Sequence, residues 1–592
     1  MKNEFKFLVA MLIITAIATS FAGVGQAEEE SDVVQDGVLF GHTETETEDS
    51  RPTFTVETIS YGMGLNHLSR ELYQDLQLDT TGTTNIDLAE EEWDSGNATA
   101  LTASYGVILE SSNSNIFTDI DVNEVGSEAT AKTPSGKAVA EAESFGIYLD
   151  NSSGNIFEQV TLRGISSEAK ARNNNEDEGG AEAKALAAGV YLENSSDNTF
   201  RYLDLRDFSA QASSSSNSGE EDLEARTFGV FVDSGSTENT FLHSVVSGNQ
   251  VGVGIGTETT GISTHFSSIV GNEEHGVENL SGEVVDFGLN WWGSEDGPHY
   301  DGDGDGDPDY AGNGDEVFGE AIISPWLGAD PDASEEKPGV QFISPLPILV
   351  KNIGPEPVTA TNNRGYLNKA IWGSNLVDVR GRVIVDHGTY SLSEKILDGV
   401  TLLSECGSSC KTIIEDGDPA RSGNEEILIE SGEVRIGTRK DYSSRGFTIN
   451  KNIRIADGSD ASTVQLNWNN LHGEVINESQ GRLDAQYNWW GTWNPAGSTQ
   501  GRVDTHPFLP EEVCSFVDYM EKHEISNPHA AAAGKMVEDA GSTKKLVSYL
   551  IAHFNVKPRE GEELIDEYGY QAVKEAFETS GNNYDAFLEN LG

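Results

Sequence analysis

The stretch FGIYLDNSSGNIFEQVTL, residues Phe145 to Leu162, decides how the first half of this chain folds, because close copies of it recur there. The copies are YGVILESSNSNIFTDIDV from Tyr105, AGVYLENSSDNTFRYLDL from Ala188 and FGVFVDSGSTENTFLHSV from Phe228. Their glycines lie 40, 43 and 40 residues apart along the sequence. A fixed period of this kind predicts stacked structural repeats.

Each copy predicts two short strands joined by a polar turn. Alternation of apolar and polar residues in both strands places Val, Leu and Phe side chains on one face. An asparagine returns at the same place in every copy, and its side-chain amide can bond its counterpart in the next copy as a ladder. These asparagines are Asn115, Asn155, Asn198 and Asn239. The pattern therefore predicts strands stacked in parallel, copy upon copy.

Alanine alternates with charged or polar residues between the copies, as in SEATAKTPSGKAVAEAES, residues 127–144. This alternation favours extended arms or β-hairpin insertions that project from each repeat. The alternative is a set of short helices, since alanine is a strong helix former.

A second motif, Asn-Trp-Trp-Gly, occurs in LNWWGSEDGP (residues 289–298) and again in YNWWGTWNPAG (residues 487–497). The last strands of a stack expose an apolar core and an unpaired sheet edge, and bulky indoles followed by a glycine turn can cover both. We therefore interpret the motif as the end of a stack, and the alternative is that its indoles line a sugar platform. The indoles concerned are those of Trp291, Trp292, Trp489 and Trp490.

The G-[IV]-Y-L-x-N-S-S-x-N-[IT]-F units resemble the right-handed parallel β-helix repeats of NosD-like proteins in the pectin-lyase-fold superfamily. NWWGS-x-DGP followed by GNGDEVFGEAIISPWL (residues 312–327) resembles the closing segment of many exported β-helix proteins. VIVDHGTYSLSEKILDGVTLLSE (residues 383–405) resembles the opening coils of the same superfamily. The resemblance implies an all-β fold with two tandem right-handed parallel β-helices, to which the sequence adds a small C-terminal α-helical domain.

Five segments make up the expected organisation of the chain. A charged start, an apolar run and the small-residue site Gly25-Gln26-Ala27 predict a signal peptide and hence a secreted or cell-surface protein. Helical spacing of apolar residues near the C-terminus, among them Leu546 and Leu550, predicts helices there. The segments are the signal peptide (1–27), a first β-helix with inserted arms (28–329), a linker rich in proline and charge (330–358), a second, shorter β-helix (359–510) and the α-helical domain (511–592).

The charge of the chain restricts its partners. Aspartate and glutamate number 99 against 37 lysines and arginines, which gives a formal net charge of −62. Such a surface repels nucleic acid and anionic lipid, and no segment after the signal peptide predicts a membrane span. The acidity is spread along the whole chain, which favours adaptation to high salt over an ordinary acidic secreted protein.

The stretch DGDGDGDPDYAGNGDE, residues 301–316, predicts a structural Ca²⁺ site, with an unliganded acidic loop as the alternative. The twelfth position, where an EF-hand places glutamate, is Gly312, so Asp315 or Glu316 would have to close the shell. The alternating carboxylates that would bind the ion belong to Asp301, Asp303, Asp305, Asp307 and Asp309. Farther along, Cys406 and Cys410 flank a short turn and predict a local disulfide.

The sequence shows no signature of catalysis. The Asp-Asp and Gly-His-Gly signatures of polygalacturonases are absent, and Asp386-His387, which resembles a pair in pectate lyases, lies inside the helix-opening element. We therefore expect a secreted or cell-surface scaffold that contacts a polysaccharide or a cell-surface glycoprotein, with a C-terminal domain that binds a protein partner or stabilises the chain. The alternatives are a polysaccharide lyase or glycoside hydrolase, and a metalloenzyme maturation factor, which needs a soft-metal site that the sequence does not show.

Overall fold

A computed structural model shows a chain built mostly of strands in parallel sheets, with small helices near the C-terminus. The predicted signal peptide, Cys406 and Cys410 lie outside the described residues. The described residues are 33–35, 38–50, 53–68, 70–87, 97–133, 136–173, 180–216, 221–331, 338–340, 346–353, 366–376, 381–397, 399–405, 411–415, 426–430, 432–437, 446–491, 495–506, 508–509, 512, 546, 550, 558–580 and 584–591.

Strands β1 to β24 form the first unit of the structure, and β25 leads out of it. In chain order they are β1 (Val33–Gln35), β2 (Val38–Ser50), β3 (Thr53–Asn66), β4 (Leu72–Asp87), β5 (Asn97–Glu110), β6 (Ile116–Thr133), β7 (Ala138–Asp150), β8 (Ile156–Arg163), β9 (Ser166–Asn173), β10 (Ala181–Glu193), β11 (Thr199–Arg206), β12 (Ser209–Ser216), β13 (Glu221–Val232), β14 (Thr240–Leu242), β15 (Val245–Ser247), β16 (Val251–Ile255), β17 (Ser263–His265), β18 (Ser268–Val270), β19 (His275–Asn279), β20 (Val285–Asp286), β21 (Pro298–Asp301), β22 (Tyr310–Ala311), β23 (Gly314–Phe318), β24 (Ala321–Ile322) and β25 (Trp326–Leu327).

The second unit and the C-terminal helices complete the described structure. The strands are β26 (Pro347–Val350), β27 (Arg382–Val385), β28 (Gly388–Tyr390), β29 (Thr401–Ser404), β30 (Thr412–Ile414), β31 (Ile427–Ile429), β32 (Arg435–Ile436), β33 (Thr448–Ile449), β34 (Ile453–Ile455), β35 (Gln465–Leu466), β36 (Asn470–Leu471), β37 (Val475–Asn477), β38 (Leu483–Asp484), β39 (Thr499–Gln500) and β40 (Val503–Asp504). The helices are α1 (Tyr366–Leu376), α2 (Pro558–Tyr568), α3 (Tyr570–Ser580) and α4 (Tyr584–Leu591), with single 3₁₀ turns at Ala461–Thr463 and Pro495–Gly497.

Two long sheets run side by side through the first unit. Sheet 1 has the order β1-β2-β3-β5-β7-β10-β13-β16-β19-β23-β21-β22, and sheet 2 the order β12-β9-β6-β8-β11-β14-β17-β20-β24. From β3 to β23 every neighbouring pair in sheet 1 is parallel, whereas β2 lies antiparallel against β3 at the N-terminal edge. The antiparallel strand covers an edge that would otherwise expose unpaired backbone groups.

Each pass of the chain adds one strand to sheet 1, in register with the strand of the previous pass. Tyr105 lies opposite Phe145, and Phe145 lies opposite Ala188, so these passes take 40 and 43 residues. Phe228 lies opposite Val251, so that pass takes only 23 residues. We call the first kind wide passes and the second kind narrow passes. The difference lies in the alanine-rich segments, which only the wide passes contain.

The alanine-rich segments are strands, which decides between the two conformations that the sequence allowed. They lengthen β5, β7, β10 and β13 of sheet 1 and form the end of β6 and all of β9 in sheet 2, again in parallel register. The two sheets face each other here through fully buried methyl groups, and Ser104 Oγ donates across the gap to the Gly126 carbonyl at 2.8 Å. The facing alanines are Ala98, Ala100, Ala129, Ala131, Ala138, Ala140, Ala142, Ala169, Ala171, Ala181, Ala183 and Ala185.

Inside the passes, identical residues stack in columns. Asn155 Nδ2 donates to Asn198 Oδ1 at 3.1 Å, and Asn115 Nδ2 donates to Asn155 Oδ1 at the same distance. All four predicted asparagines are fully buried, and the Asn198 to Asn239 step repeats the geometry. A second column stacks phenylalanine rings 4.4–5.0 Å apart and nearly parallel, at Phe117, Phe157, Phe200 and Phe241. The asparagine column satisfies buried amides and the phenylalanine column fills the core.

Asn-Trp-Trp-Gly has the same environment in both copies. The second indole, Trp292 or Trp490, is buried in the core, while Trp291 is only partly buried. Asn290 ties three backbone groups together: Oδ1 accepts from the Ser267 N–H at 3.0 Å, and Nδ2 donates to the carbonyls of Thr264 and Phe287. Asn488 makes the equivalent bonds in the second copy. Because β23 and β24 follow the first motif and still pair in parallel, the motif lies one pass before the end of the first unit.

The second unit consists of three sheets of short strands, parallel except for the β25–β26 pair, with orders β25-β26-β27-β29-β32-β35-β38-β40, β28-β30-β33-β36 and β31-β34-β37-β39. Strand β26 lies within the stretch predicted as a linker, yet it pairs with both β25 and β27. Helix α1 covers the junction, where Lys369 forms an ion pair with Asp286 of the first unit. Burial of Leu289 and Leu327 in the second unit's core shows that the two units pack on each other.

The C-terminal helices have a small core of their own. Leu546 and Leu550, predicted to share a helical face, are fully buried against residues of α2, α3 and α4, among them Phe577 and Phe587. In the described part of the chain, no helix has the length and apolar character needed to cross a membrane.

Candidate functional site

The strands of sheet 1 bend at a glycine in each wide pass, and this bend creates the candidate site. Tyr105 pairs with Phe145 and Val107 pairs with Ile147, so the register is the same on both sides of the glycine, which is itself left out of the ladder. A Cβ on Gly146 would lie 2.7 Å from the Gly189 carbonyl oxygen and 2.8 Å from Leu162, so a side chain does not fit. The bend shifts the inward–outward alternation by one residue. The corresponding glycines are Gly106, Gly146, Gly189 and Gly229.

The outer side of the bend holds a recess of about 220 Å³, which we call the groove. The residue before the glycine and the residue two after it both face the groove. Ring centroids lie 5.4 Å apart between Phe145 and Tyr148, and 4.8 Å apart between Phe145 and Tyr191. Stacking of successive passes continues the aromatic floor, with Tyr148 and Tyr191 at 5.3 Å, Tyr191 and Phe231 at 5.3 Å, and Phe228 and Phe231 at 4.6 Å.

A column of carboxylates follows the floor, four residues after each glycine. Glu110 lies opposite Asp150 and Asp150 opposite Glu193, so the carboxylates repeat at the strand spacing of about 4.8 Å. Tyr148 Oη donates to Glu193 Oε2 at 2.8 Å, and Tyr191 Oη donates to Asp233 Oδ2 at 2.9 Å. Burial, with a contribution from the neighbouring Asp150 carboxylate, raises the pKa of Glu110 to about 7.

Glu143 contributes a carboxyl group that is uncharged at neutral pH. Burial, together with the neighbouring carboxylates of Glu141 and Glu193, raises its pKa to about 8. Burial also raises the pKa of Glu141 above its ordinary value, although Lys184 counteracts this effect. The groove therefore holds more acid groups than it can ionise together near pH 7.

The two basic residues of the groove are engaged by other acids. Lys184 forms an ion pair with Glu182, and Arg226 donates to Glu278 Oε2 at 2.8 Å. The Arg226 guanidinium also lies over the Phe228 ring, 4.8 Å from its centroid. Five acids and two bases line the groove, so its lining carries an excess of negative groups.

This arrangement suits a ring-shaped polar ligand. Aromatic faces stack on the apolar faces of sugar rings, and carboxylate, carboxyl and phenol groups exchange hydrogen bonds with hydroxyl groups at their edges. Burial, together with adjacent acids, raises the pKa of Tyr148 and Tyr191 well above the ordinary value, so both phenols remain hydrogen-bond donors.

Sequence reasoning did not find the groove. The signal was present in the repeat itself, since YGVILE, FGIYLD, AGVYLE and FGVFVD carry aromatic or apolar side chains around a glycine and end in an acid. The residue before the glycine and the residue two after it are three positions apart. In an uninterrupted strand they would therefore point to opposite faces of the sheet. Only the bend at the glycine brings them to one concave face.

The aspartate-rich loop lies after β21, away from the groove. Carboxylate oxygens of Asp301, Asp303 and Asp305 come within 4.8 Å of one another, which is compatible with one shared cation. Asp301 is buried and accepts from the backbone N–H groups of Gly304 and Gly306, at 2.8 and 3.0 Å. Both its oxygens thereby hold the loop in a curled conformation.

The remaining predicted metal ligands are placed differently. Asp309 Oδ2 accepts from the Gly302 N–H at 3.1 Å, at the edge of the loop, and Asp307 is exposed. Asp315, expected to close the shell, instead accepts from the Gly271 and Asn272 N–H groups at 2.9 Å. Glu316 lies 3.7 Å from His275. Neither belongs to the carboxylate group formed by Asp301, Asp303 and Asp305.

Asp386 and His387 lie in the turn between β27 and β28, as the sequence indicated. Asp386 Oδ1 lies 2.8 Å from His387 Nδ1, and the imidazole is half exposed. Comparisons of the chain with protein-family models, curated proteins and solved structures find no match.

Proposed function

We propose that both units are right-handed parallel β-helices of the NosD-like, pectin-lyase-fold kind, in a secreted or cell-surface protein. The support is the strand order of five sheets, in which successive passes add parallel strands in register, and the stacked asparagine and phenylalanine columns. Antiparallel pairs occur at the N-terminal edge, where β2 and β3 pair over most of their length, and as short pairs between β21 and β22 and where the units meet.

The function supported best is that of a scaffold that binds a glycan, either a polysaccharide or the glycan of a cell-surface glycoprotein. One observation carries this proposal: the groove combines five aromatic rings with a column of hydrogen-bonding carboxylates on an otherwise regular sheet. A regular sheet needs no half-buried acids packed against aromatic rings on its outer face, because taking them partly out of water costs free energy that folding alone does not return. The C-terminal helices are a second candidate surface, for a protein partner.

Calcium would stabilise the loop at the end of the first unit. Asp301, Asp303 and Asp305 supply three hard oxygen ligands, and backbone carbonyls and water would complete the shell. Titration calorimetry with Ca²⁺ should show one site, and D303N should abolish it. D457N, which changes an exposed aspartate elsewhere, is the matched control. Equal Ca²⁺ binding by both variants would disprove the site.

A polysaccharide lyase or glycoside hydrolase is the second candidate. Two features favour it. The cleft holds Lys184 and Arg226 among carboxylates, and Glu143 lies close enough to Glu193 for the Glu193 charge to raise its pKa. A protonated carboxyl beside an acid of different pKa is the arrangement that glycoside hydrolysis requires. The metal-compatible group found among the described residues consists of carboxylates only. Soft metals prefer sulfur and imidazole ligands, so this group does not favour a metalloenzyme maturation factor.

The test is a panel of polysaccharides at high salt, with and without Ca²⁺, scored for retention and for new reducing or unsaturated ends. Retention without new ends, reduced at least tenfold in Y191L and unchanged in Y568L, is the expected result. Tyr568 is an exposed tyrosine outside the groove. New chain ends that disappear in E143Q would establish the enzyme instead. No retention of any polysaccharide would refute the glycan proposal.

A further inference from the structure

We infer that the junction between the two units is a pH-sensitive latch: protonation of His265 detaches helix α1 from the first unit. The latch consists of three titratable side chains, His265 on β17, Asp286 on β20 and Lys369 on α1. None of the three lines the groove, so the inference stands independently of the proposed glycan function.

Helix α1 lies in close contact with the first unit. A Cβ on Gly288 would lie 2.9 Å from Lys369 Cε, and a Cβ on Gly373 of α1 would lie 2.9 Å from Leu289 Cδ1, so the two surfaces leave little space between them. Leu289 is fully buried, in the same core as Ile371 of α1. Because so close a contact excludes water, an unbalanced charge within it opposes the docking of α1.

Asp286 is shared by the two basic side chains of the latch. Lys369 Nζ donates to Asp286 Oδ1, and His265 Nε2 lies 3.8 Å from Asp286 Oδ2. On the other side of the imidazole, His265 Nδ1 lies 2.9 Å from the Gly288 carbonyl oxygen, which can only accept, so Nδ1 carries the hydrogen of the neutral ring. A further proton therefore binds at Nε2, and it places two cations against one carboxylate.

The elements packed around His265 leave this second cation unbalanced. In the described ranges, Lys369 and Asp286 are the charged side chains that act on His265. Strand β14 places Leu242 opposite it, and all three residues of β14 are uncharged. The Trp372 ring of α1 lies 6.1 Å from the imidazole between centroids, at the outer limit of about 6 Å for a cation–π contact.

Docking of α1 and protonation of His265 oppose each other. Burial, followed by the Lys369 charge, lowers the pKa of His265 below its ordinary value of 6.5, although the Asp286 carboxylate counteracts this effect. Between the lowered pKa and 6.5 the docked state binds fewer protons than the detached state. The stability of the docked state is therefore fully present above pH 6.5 and is lost as pH falls through the lowered pKa. By the same linkage, a proton on His265 weakens the docking of α1.

The neighbouring His243 does not compete with His265 down to pH 5. It follows β14 and stacks on Phe266, with ring centroids 5.4 Å apart. Burial, together with the charge of Arg201, lowers the pKa of His243 to about 4, so its ring stays largely neutral at pH 5.

Hydrogen exchange detected by mass spectrometry tests the latch on the full-length protein at pH 7.5 and pH 5, at constant ionic strength and after correction for the chemical exchange rate. Amides of α1 should exchange at least fivefold faster at pH 5, whereas those of β10 should not change. His265→Asn keeps a donor for the Gly288 carbonyl but cannot be protonated, so its α1 should exchange at the same corrected rate at both pH values. His472→Asn, at a partly exposed imidazole in the second unit, should respond as the unmodified protein does.

Lys369→Met gives a second prediction of opposite sign. It leaves Asp286 as the charged partner of His265, so protonation should strengthen the contact, and α1 should exchange more slowly at pH 5 than at pH 7.5. This variant provides the test if His265→Asn fails to fold, which faster exchange throughout β10 would reveal.

Three outcomes would overturn the inference. Exchange of α1 that does not change with pH in the unmodified protein would show that a proton on His265 leaves the contact intact. An equal acid response in His265→Asn would assign that response to another group. Acceleration at pH 5 in Lys369→Met, by the same factor as in the unmodified protein, would show that repulsion from Lys369 is not its cause.

Discussion

Asn155 shows how a single side chain joins three passes of the chain. Its Oδ1 accepts from the backbone and side-chain N–H groups of Asn115, at 2.9 and 3.1 Å. Its Nδ2 donates to the Ser112 carbonyl at 3.0 Å and to Asn198 Oδ1 at 3.1 Å. No shorter or non-amide side chain reproduces this set, because the role needs a donor and an acceptor on one rigid group.

Asn155→Ala should lower the free energy of unfolding by roughly 2–4 kcal/mol, because it leaves a buried N–H and a buried carbonyl unpaired. Urea denaturation followed by circular dichroism measures the change. Asn313→Ala, at an exposed asparagine bonded only to Asp296 among the described contacts, should change the value by less than about 0.5 kcal/mol. Similar losses in both variants would contradict a structural role for the ladder.

Glu143 makes the stability of the protein depend on pH. Its folded-state pKa of about 8 lies above the ordinary value of 4.5, so between these values the folded state binds more protons than the unfolded state. Stability is then fully present below pH 4.5 and falls as pH rises towards 8. The glutamine of Glu143→Gln does not titrate. The free energy of unfolding of this variant should therefore rise relative to that of the unmodified protein across this window, by at most about 1.4 kcal/mol per pH unit.

Melting temperatures of both proteins between pH 5 and 9 measure this effect. Glu168→Gln, whose carboxylate is partly exposed and pairs with Lys170, should show a far smaller change with pH. A constant difference between Glu143→Gln and the unmodified protein would mean that Glu143 is ionised throughout the window.

At the scale of elements, the arms depend on the size of one side chain. Sheets pack about 10 Å apart when ordinary apolar residues fill the space between them. Here alanine methyls, with a few small serine and threonine side chains, fill it, and hydroxyl–carbonyl hydrogen bonds cross from β5 to β6. The alternation of alanine with charge is therefore a requirement of close sheet packing, although alanine favours helices in isolation.

Ala140→Leu should destabilise the arms by about 1–3 kcal/mol, because the larger side chain forces the two sheets apart. Ala140 lies between Ala100 and Ala183 in sheet 1 and is fully buried. Thr99→Leu, a similar enlargement at an outward-facing position of β5, is the control. Chemical denaturation measures the free energy of unfolding of both variants. Equal values would show that the space between the two sheets accommodates a leucine side chain.

The sequence was sufficient to predict the elements and insufficient to predict the groove. Asn155 and Phe157 recur with a fixed period, so their columns follow from the repeat, and Leu546 and Leu550 follow from helical spacing. The groove depends on a backbone bend at Gly146, and no local pattern distinguishes a glycine that bends a strand from one that merely permits close packing. Asp315 was expected at a metal because acids cluster near it, but two backbone N–H groups of the preceding pass bind it instead.

The whole molecule carries a formal charge of −62, and its stability should therefore depend strongly on salt. The Debye length falls from about 10 Å at 0.1 M to about 3 Å at 1 M, so repulsion between neighbouring surface carboxylates weakens over this range. We expect the melting temperature to rise steadily between 0.1 M and 2 M KCl. Calorimetric scans measure it, and a flat profile would contradict adaptation of the chain to high salt.

The change from wide to narrow passes has a consequence for how such a molecule can grow. The arms and the groove belong to the wide passes, while the parallel register of both sheets continues into the narrow ones. Duplicating one wide pass would lengthen the groove by one rung, about 4.8 Å, without disturbing the core. The number of wide passes thus sets the length of the groove, and duplication or deletion of single repeats would change the length of the glycan segment that we propose it binds.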